Sequence, residues 1–134
     1  MSSRLGSILL LAAALLLGAC SSKPVLEIRQ TDVPQSLSQQ QVEQAILTAL
    51  QQRRWSVVER RPGHITASIV QRQILRAVID IRYDERSYSI SHHSSEGLEY
   101  RDGKIHRTYN NWVTYLDRNI QQVLHSRAPN EPLP

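Results

Sequence analysis

The sequence predicts an α+β fold in which two amphipathic helices cover one face of an antiparallel four-stranded meander. Three observations carry that expectation: apolar residues at helical spacing near both ends of the domain, period-two alternation between them, and turn residues punctuating the alternation. A helix stripe and a half-apolar sheet each have one face to bury. The expected architecture is therefore a two-layer sandwich of order α-β-β-β-β-α with both helices on the same face.

The first helix starts from Ser38, a side chain suited to an N-cap. Val42, Ile46, Ala49 and Leu50 then recur at helical spacing, ending near Arg53. The strands follow. If Arg61-Pro62-Gly63 is a three-residue loop with Gly63 at positive φ, Trp55 and Val57 lie opposite Ile69 and Ala67, and all four face one side. The odd positions Ile65, Ala67, Ile69, Leu75, Ala77, Ile79, Ile81 and Tyr83 keep one phase across Gln71-Arg72-Gln73, which asks for a second odd-length loop. After Tyr83 the phase flips, so an even turn returns Tyr88, Ile90 and His92 to the inner face. Ser94 to Lys104 reads as a polar loop with Gly97 and Gly103, tucked in at Leu98 and Tyr100. The second helix carries Ile105, Tyr109, Trp112, Val113, Leu116, Ile120, Val123 and Leu124 on one stripe to about Ser126, before a tail containing Pro129, Pro132 and Pro134.

Ahead of this domain, Arg4 precedes an unbroken apolar run from Ile8 to Leu17. The run is shorter than the roughly 20 residues a membrane-spanning helix needs, and it has the pattern of a secretion-signal core. Leu17-Gly18-Ala19-Cys20 resembles the lipobox of bacterial lipoproteins. That resemblance implies cleavage before Cys20 and lipidation of its thiol, which anchors the chain to a membrane. Ser21, where an aspartate would resemble an inner-membrane retention signal, implies the outer membrane and its periplasmic face. The expected organisation is a signal peptide over residues 1–19, lipidated Cys20 and a mobile tether over 20–36, one α+β domain over 37–126, and a proline-rich tail over 127–134. Cys20 is the only cysteine, so the domain must be stable without an intramolecular disulfide.

Sixteen Lys and Arg against twelve Asp and Glu give a formal charge of +4. In the cytosol that excess would raise nucleic acid as a partner; export argues against it. The remaining anionic partners are lipid headgroups, lipopolysaccharide phosphates, peptidoglycan carboxylates or an acidic protein face.

Ser94-Ser95-Glu96-Gly97-Leu98-Glu99-Tyr100, then Ile105-His106 and Tyr109-Asn110-Asn111-Trp112, form a recognisable pattern. It resembles a family of small, uncharacterised proteobacterial lipoproteins in which serine, leucine and tyrosine precede Ile-His and a Tyr-Asn-x-Trp motif opening the terminal helix. The resemblance extends from Trp55 to Ile120 and includes the Ile79–Tyr83 strand. It implies a shared fold and brings no activity with it.

No constellation of a known chemistry stands out. His92 and His93 are adjacent on a strand and point to opposite faces, and no Cys or His-Glu-x-x-His spacing completes a metal site, so neither metal nor cofactor is expected. The serines sit in no nucleophile elbow. His106 and Asn110, one helical turn apart beside Tyr109 and Trp112, are expected to hold the Gly97–Gly103 loop onto the helix. Parity places Ile74, Arg76, Val78, Arg82 and His93 on the outer sheet face, which no predicted element covers. The leading expectation is thus a non-enzymatic binding or assembly module using that face and the loop before the second helix. The alternatives are a small hydrolase built on His106 and a loop carboxylate such as Glu99, or a purely structural subunit.

Overall fold

A computed structural model describes residues 21–129. The expected signal peptide, Cys20 and the last five residues of the tail lie outside the described residues. In chain order the elements are β1 (Ser22–Pro24), β2 (Ile28–Asp32), α1 (Gln39–Gln52), β3 (Ser56–Arg61), β4 (His64–Gln71), β5 (Leu75–Tyr83), β6 (Ser87–Glu96), β7 (Lys104–His106) and α2 (Arg107–Arg127).

The α+β class holds, but the order α-β-β-β-β-α and the four-stranded sheet do not. The main sheet has five antiparallel strands in the order β2-β6-β5-β4-β3, and β1 pairs with β7 in a separate two-stranded ribbon. The expected meander survives as β3 to β6. The residues read as a tether instead supply β1 and β2. Their burial is shallow and Gln30 interrupts β2 with a φ of 40°, so backbone pairing rather than apolar alternation makes them strands.

Helix α1 begins with a reciprocal cap. Gln41 N–H donates to Ser38 Oγ at 3.1 Å, and Ser38 N–H donates to Gln41 Oε1 at 2.8 Å. Its buried stripe is Val42, Ala45, Ile46, Ala49 and Leu50. Helix α2 buries Tyr109, Trp112, Val113, Leu116, Ile120, Val123 and Leu124. Ile105 belongs to β7 rather than to this helix, because Asp102 and Gly103 turn the chain back at φ values of 53° and 73°. Arg101 and Lys104 close that turn with two backbone hydrogen bonds of 2.9 Å, as a two-residue hairpin requires. Both helices share one core with Ile65, Ala67, Ile79, Ile81, Tyr88 and Ile90 from the inner sheet face. Each large side chain buried there contributes about 1.5–3 kcal/mol before entropy is subtracted.

Turn geometry departs from expectation at the first hairpin. Arg61 pairs with His64, leaving a two-residue Pro62-Gly63 turn, and a bulge at Val58 restores the parity that a three-residue loop would have supplied. Val57 does pair with Ala67, yet it is 44% exposed, and every residue of β3 is exposed. The expectation that Val57 joins the core fails because β3 is the outermost strand. The other two turns keep the expected parity: three residues separate paired Gln71 and Leu75, and four separate Tyr83 and Tyr88.

Candidate functional site

The outer sheet face carries a polar cluster built around Asp80. This residue lies mid-way along β5, directly opposite Thr66 of β4 and Ser91 of β6. Thr66 Oγ1 donates to Asp80 Oδ1 at 3.0 Å, and His64 Nε2 lies 2.7 Å from the same oxygen. His93 Nδ1 lies 2.7 Å from Asp80 Oδ2. His93 reaches it through a bulge: Ile79 pairs with His92 and Val78 with Ser94, so His93 is the extra residue of β6.

The electrostatics follow from that geometry. Burial pushes the Asp80 carboxyl upward, but hydrogen bonds from His64, His93 and Thr66 outweigh it and hold the group below the usual carboxylate range. An ionised carboxylate only accepts, so both imidazoles donate to it. His93 then keeps Nε2 and His64 keeps Nδ1 for another partner. The carboxylate is shielded, with 16% of its side chain exposed, whereas His93 stands at the surface with 54%.

Cations flank the cluster. Arg82 sits opposite His64 and Ser89, and Arg76 opposite Val70 and Glu96. Neither guanidinium forms an ion pair within the described residues, while Arg60 and Arg61 are paired with Glu43 and Glu59. Ile74 and Val70 are exposed at the β4–β5 end of the face. Val78 is not available there: at 8% exposure its neighbours cover it. Sequence reading named Arg76, Arg82 and His93 but passed over Asp80, His64 and Thr66. The signal was present, since the parity that puts Val78 and Arg82 on the outer face puts Asp80 between them.

A second polar assembly clasps the N-terminal ribbon to α2. Asn110 Nδ2 donates to Pro24 O at 2.9 Å, and its Oδ1 accepts from Leu26 N–H at 2.9 Å. Asn110 therefore grips the β1–β2 link rather than the Gly97–Gly103 loop. His106 is the N-cap of α2: its Nδ1 accepts from Thr108 N–H at 3.2 Å, and its backbone N–H donates to Leu98 O at 2.9 Å, which ties the loop down through the main chain. Tyr109 and Trp112 lie in the core. The Tyr109 ring meets His92 edge-on, and His92 stacks on Tyr100 with centroids 4.2 Å apart. His92 Nε2 lies 2.9 Å from Ser95 Oγ. Burial, reinforced by His93, lowers the His92 pKa; burial, then Glu27 and Tyr100, raises that of Tyr109.

Ser95, Leu98, Tyr100, Ile105, His106, Tyr109 and Asn110, which carry the family resemblance, thus gather at one corner. The depression beside the loop is lined by Val25, Glu27, Arg29, His92, Tyr100 and Gly103. His106 and Glu99 are not among its walls. No group of three or more His, Cys, Asp or Glu among the described residues is arranged to hold a metal ion, and no described helix is long and apolar enough to cross a membrane. The chain matches no family model, no curated protein and no solved structure. The resemblance therefore stands on its motif residues alone.

Proposed function

We propose that the chain is a lipid-anchored envelope protein that binds an anionic envelope component through the outer sheet face. The observation that carries this reading is the pair Arg76 and Arg82, guanidiniums without an ion pair among the described residues, on a face that neither helix covers. Asp80 is the carboxylate beside Arg82 on β5, and its two oxygens are already occupied by His64, His93 and Thr66. The arginines thereby keep their charge for phosphates or carboxylates outside the molecule, which guanidinium forks bind well. Exposed Ile74 and Val70 add apolar contact at one end.

The test is in-cell crosslinking from a photoreactive residue at Ile74, with Gln122 on α2 as control. A discrete adduct from position 74 alone, abolished by Arg76→Glu with Arg82→Glu while the Tm is unchanged, is the expected result. An adduct that persists in the double variant sinks the reading.

The His93–Asp80 pair favours a second reading, acid–base hydrolysis. Asp80 orients the His93 imidazole through Nδ1 and leaves Nε2 toward solvent, the arrangement in which a histidine takes a proton from water. Here His93→Gln should leave the adduct from position 74 intact and stop the bound component being cleaved, read by mass spectrometry of the captured partner. An uncleaved partner in the parent chain rules this chemistry out.

A further inference from the structure

We infer that the β1–β7 corner is a membrane seat: it rests on an anionic phospholipid surface and fixes the domain's orientation. This inference rests on the lipid-anchor reading of Cys20. Its structural ground is the absence of slack after that residue. Arg107 N–H donates to Ser21 O at 3.0 Å, and β1 pairs with β7 from Ser22–His106 through Lys23–Ile105 to Pro24–Lys104. Val25 N–H donates to Gly103 O at 3.0 Å, and Asn110 holds Pro24 and Leu26. Consecutive Cα atoms are about 3.8 Å apart, so acyl chains on Cys20 meet the folded body at once.

The side chains around that point suit a headgroup layer. Lys23, Lys104 and Arg107 are exposed and form no ion pair within the described residues, whereas Arg29 and Arg101 are paired with Glu27 and Asp102. Tyr100, half exposed and backed by His92, offers an amphipathic ring of the kind that settles at membrane interfaces. A cation attracts an anionic surface within the Debye length, about 8 Å at physiological salt, and the seat brings these three to the headgroups. Each strengthens attachment to an anionic surface about fivefold. The β5–β6 turn at Glu85 lies at the other end of β6, whose ten residues span about 30 Å. Seated this way, the domain holds the Arg82 end of its outer face away from the bilayer.

The experiment uses the lipidated full chain in vesicles of phosphatidylcholine with phosphatidylglycerol and a nitroxide headgroup quencher. Acylation leaves Cys20 without a free thiol, so Arg101→Cys and Glu85→Cys each accept a single thiol-reactive dye. Severalfold stronger quenching at position 101 than at 85, reduced by Lys23→Glu, Lys104→Glu and Arg107→Glu together and in vesicles of phosphatidylcholine alone, is expected. Equal quenching at both positions, or quenching indifferent to charge, overturns the seat while leaving the lipid anchor standing. A reactive Cys20 thiol in the parent chain overturns the anchor and the seat with it.

Discussion

The two polar assemblies of this domain use similar groups to opposite ends. At the clasp, Asn110, His106 and the Gly97–Gly103 loop turn their hydrogen bonds inward onto the chain's own backbone, and the surrounding residues are part of the core. On the outer face, His64, Thr66 and His93 converge on Asp80, and nothing in the main chain depends on them. Polar groups that satisfy backbone donors and acceptors serve the fold. Polar groups that satisfy only one another on an open face are free to serve a partner.

Gly97→Ala tests the clasp most severely. Gly97 has a φ of 76°, and a Cβ there would stand 2.4 Å from the carbonyl oxygen of Ile74, a main-chain atom that cannot swing aside. The expected loss is about 2–4 kcal/mol in chemical denaturation. A variant as stable as the parent would mean that the loop is not fixed to the β4–β5 hairpin.

Asn110→Ala removes two hydrogen bonds to residues 24 and 26 without touching the sheet. A loss of about 1–3 kcal/mol is expected, with amide exchange accelerated selectively in β1 and β7. Uniform acceleration across β4 and β5 would show that the clasp and the core unfold as one unit.

Asp80→Asn should have the smallest effect, about 1 kcal/mol at neutral pH, because the cluster is at the surface. Its sign with pH is fixed: a depressed folded pKa contributes stability that is complete above the ordinary carboxylate value near 4 and is lost as pH falls through the folded value. Parent and variant should therefore converge in acid. A gap that widens as pH falls below about 4 would contradict the carboxylate's role.

Legibility in the sequence followed burial. Helix α1, with its Ser38 cap, and the α2 stripe were readable because each buries one face, as were the inner positions of β4 to β6. Strands β1 and β2 were not, since main-chain pairing leaves no period in the side chains. The β7 hairpin had a cue in Asp102-Gly103, a turn-forming pair with positive φ at both positions. Among the site residues, parity carried Arg76, Arg82 and His93 to the correct face, yet it says nothing of the bulge that brings His93 to Asp80. It also could not reveal that Val78 is covered, because the neighbours that cover it are set by cross-strand register.

Strand β3 ends the sheet with one row of amides and carbonyls unpaired by any described strand, and with Val57 and Val58 exposed upon it. Such a border invites strand addition by a second copy. The kink at Val58 and the run Glu59-Arg60-Arg61-Pro62 spoil the template by twisting it, charging it and removing a donor. On the lipid-anchor proposal, confinement to a membrane plane would make encounters between copies far more frequent than in free solution. The irregular edge is then a safeguard against fibre growth from copy to copy.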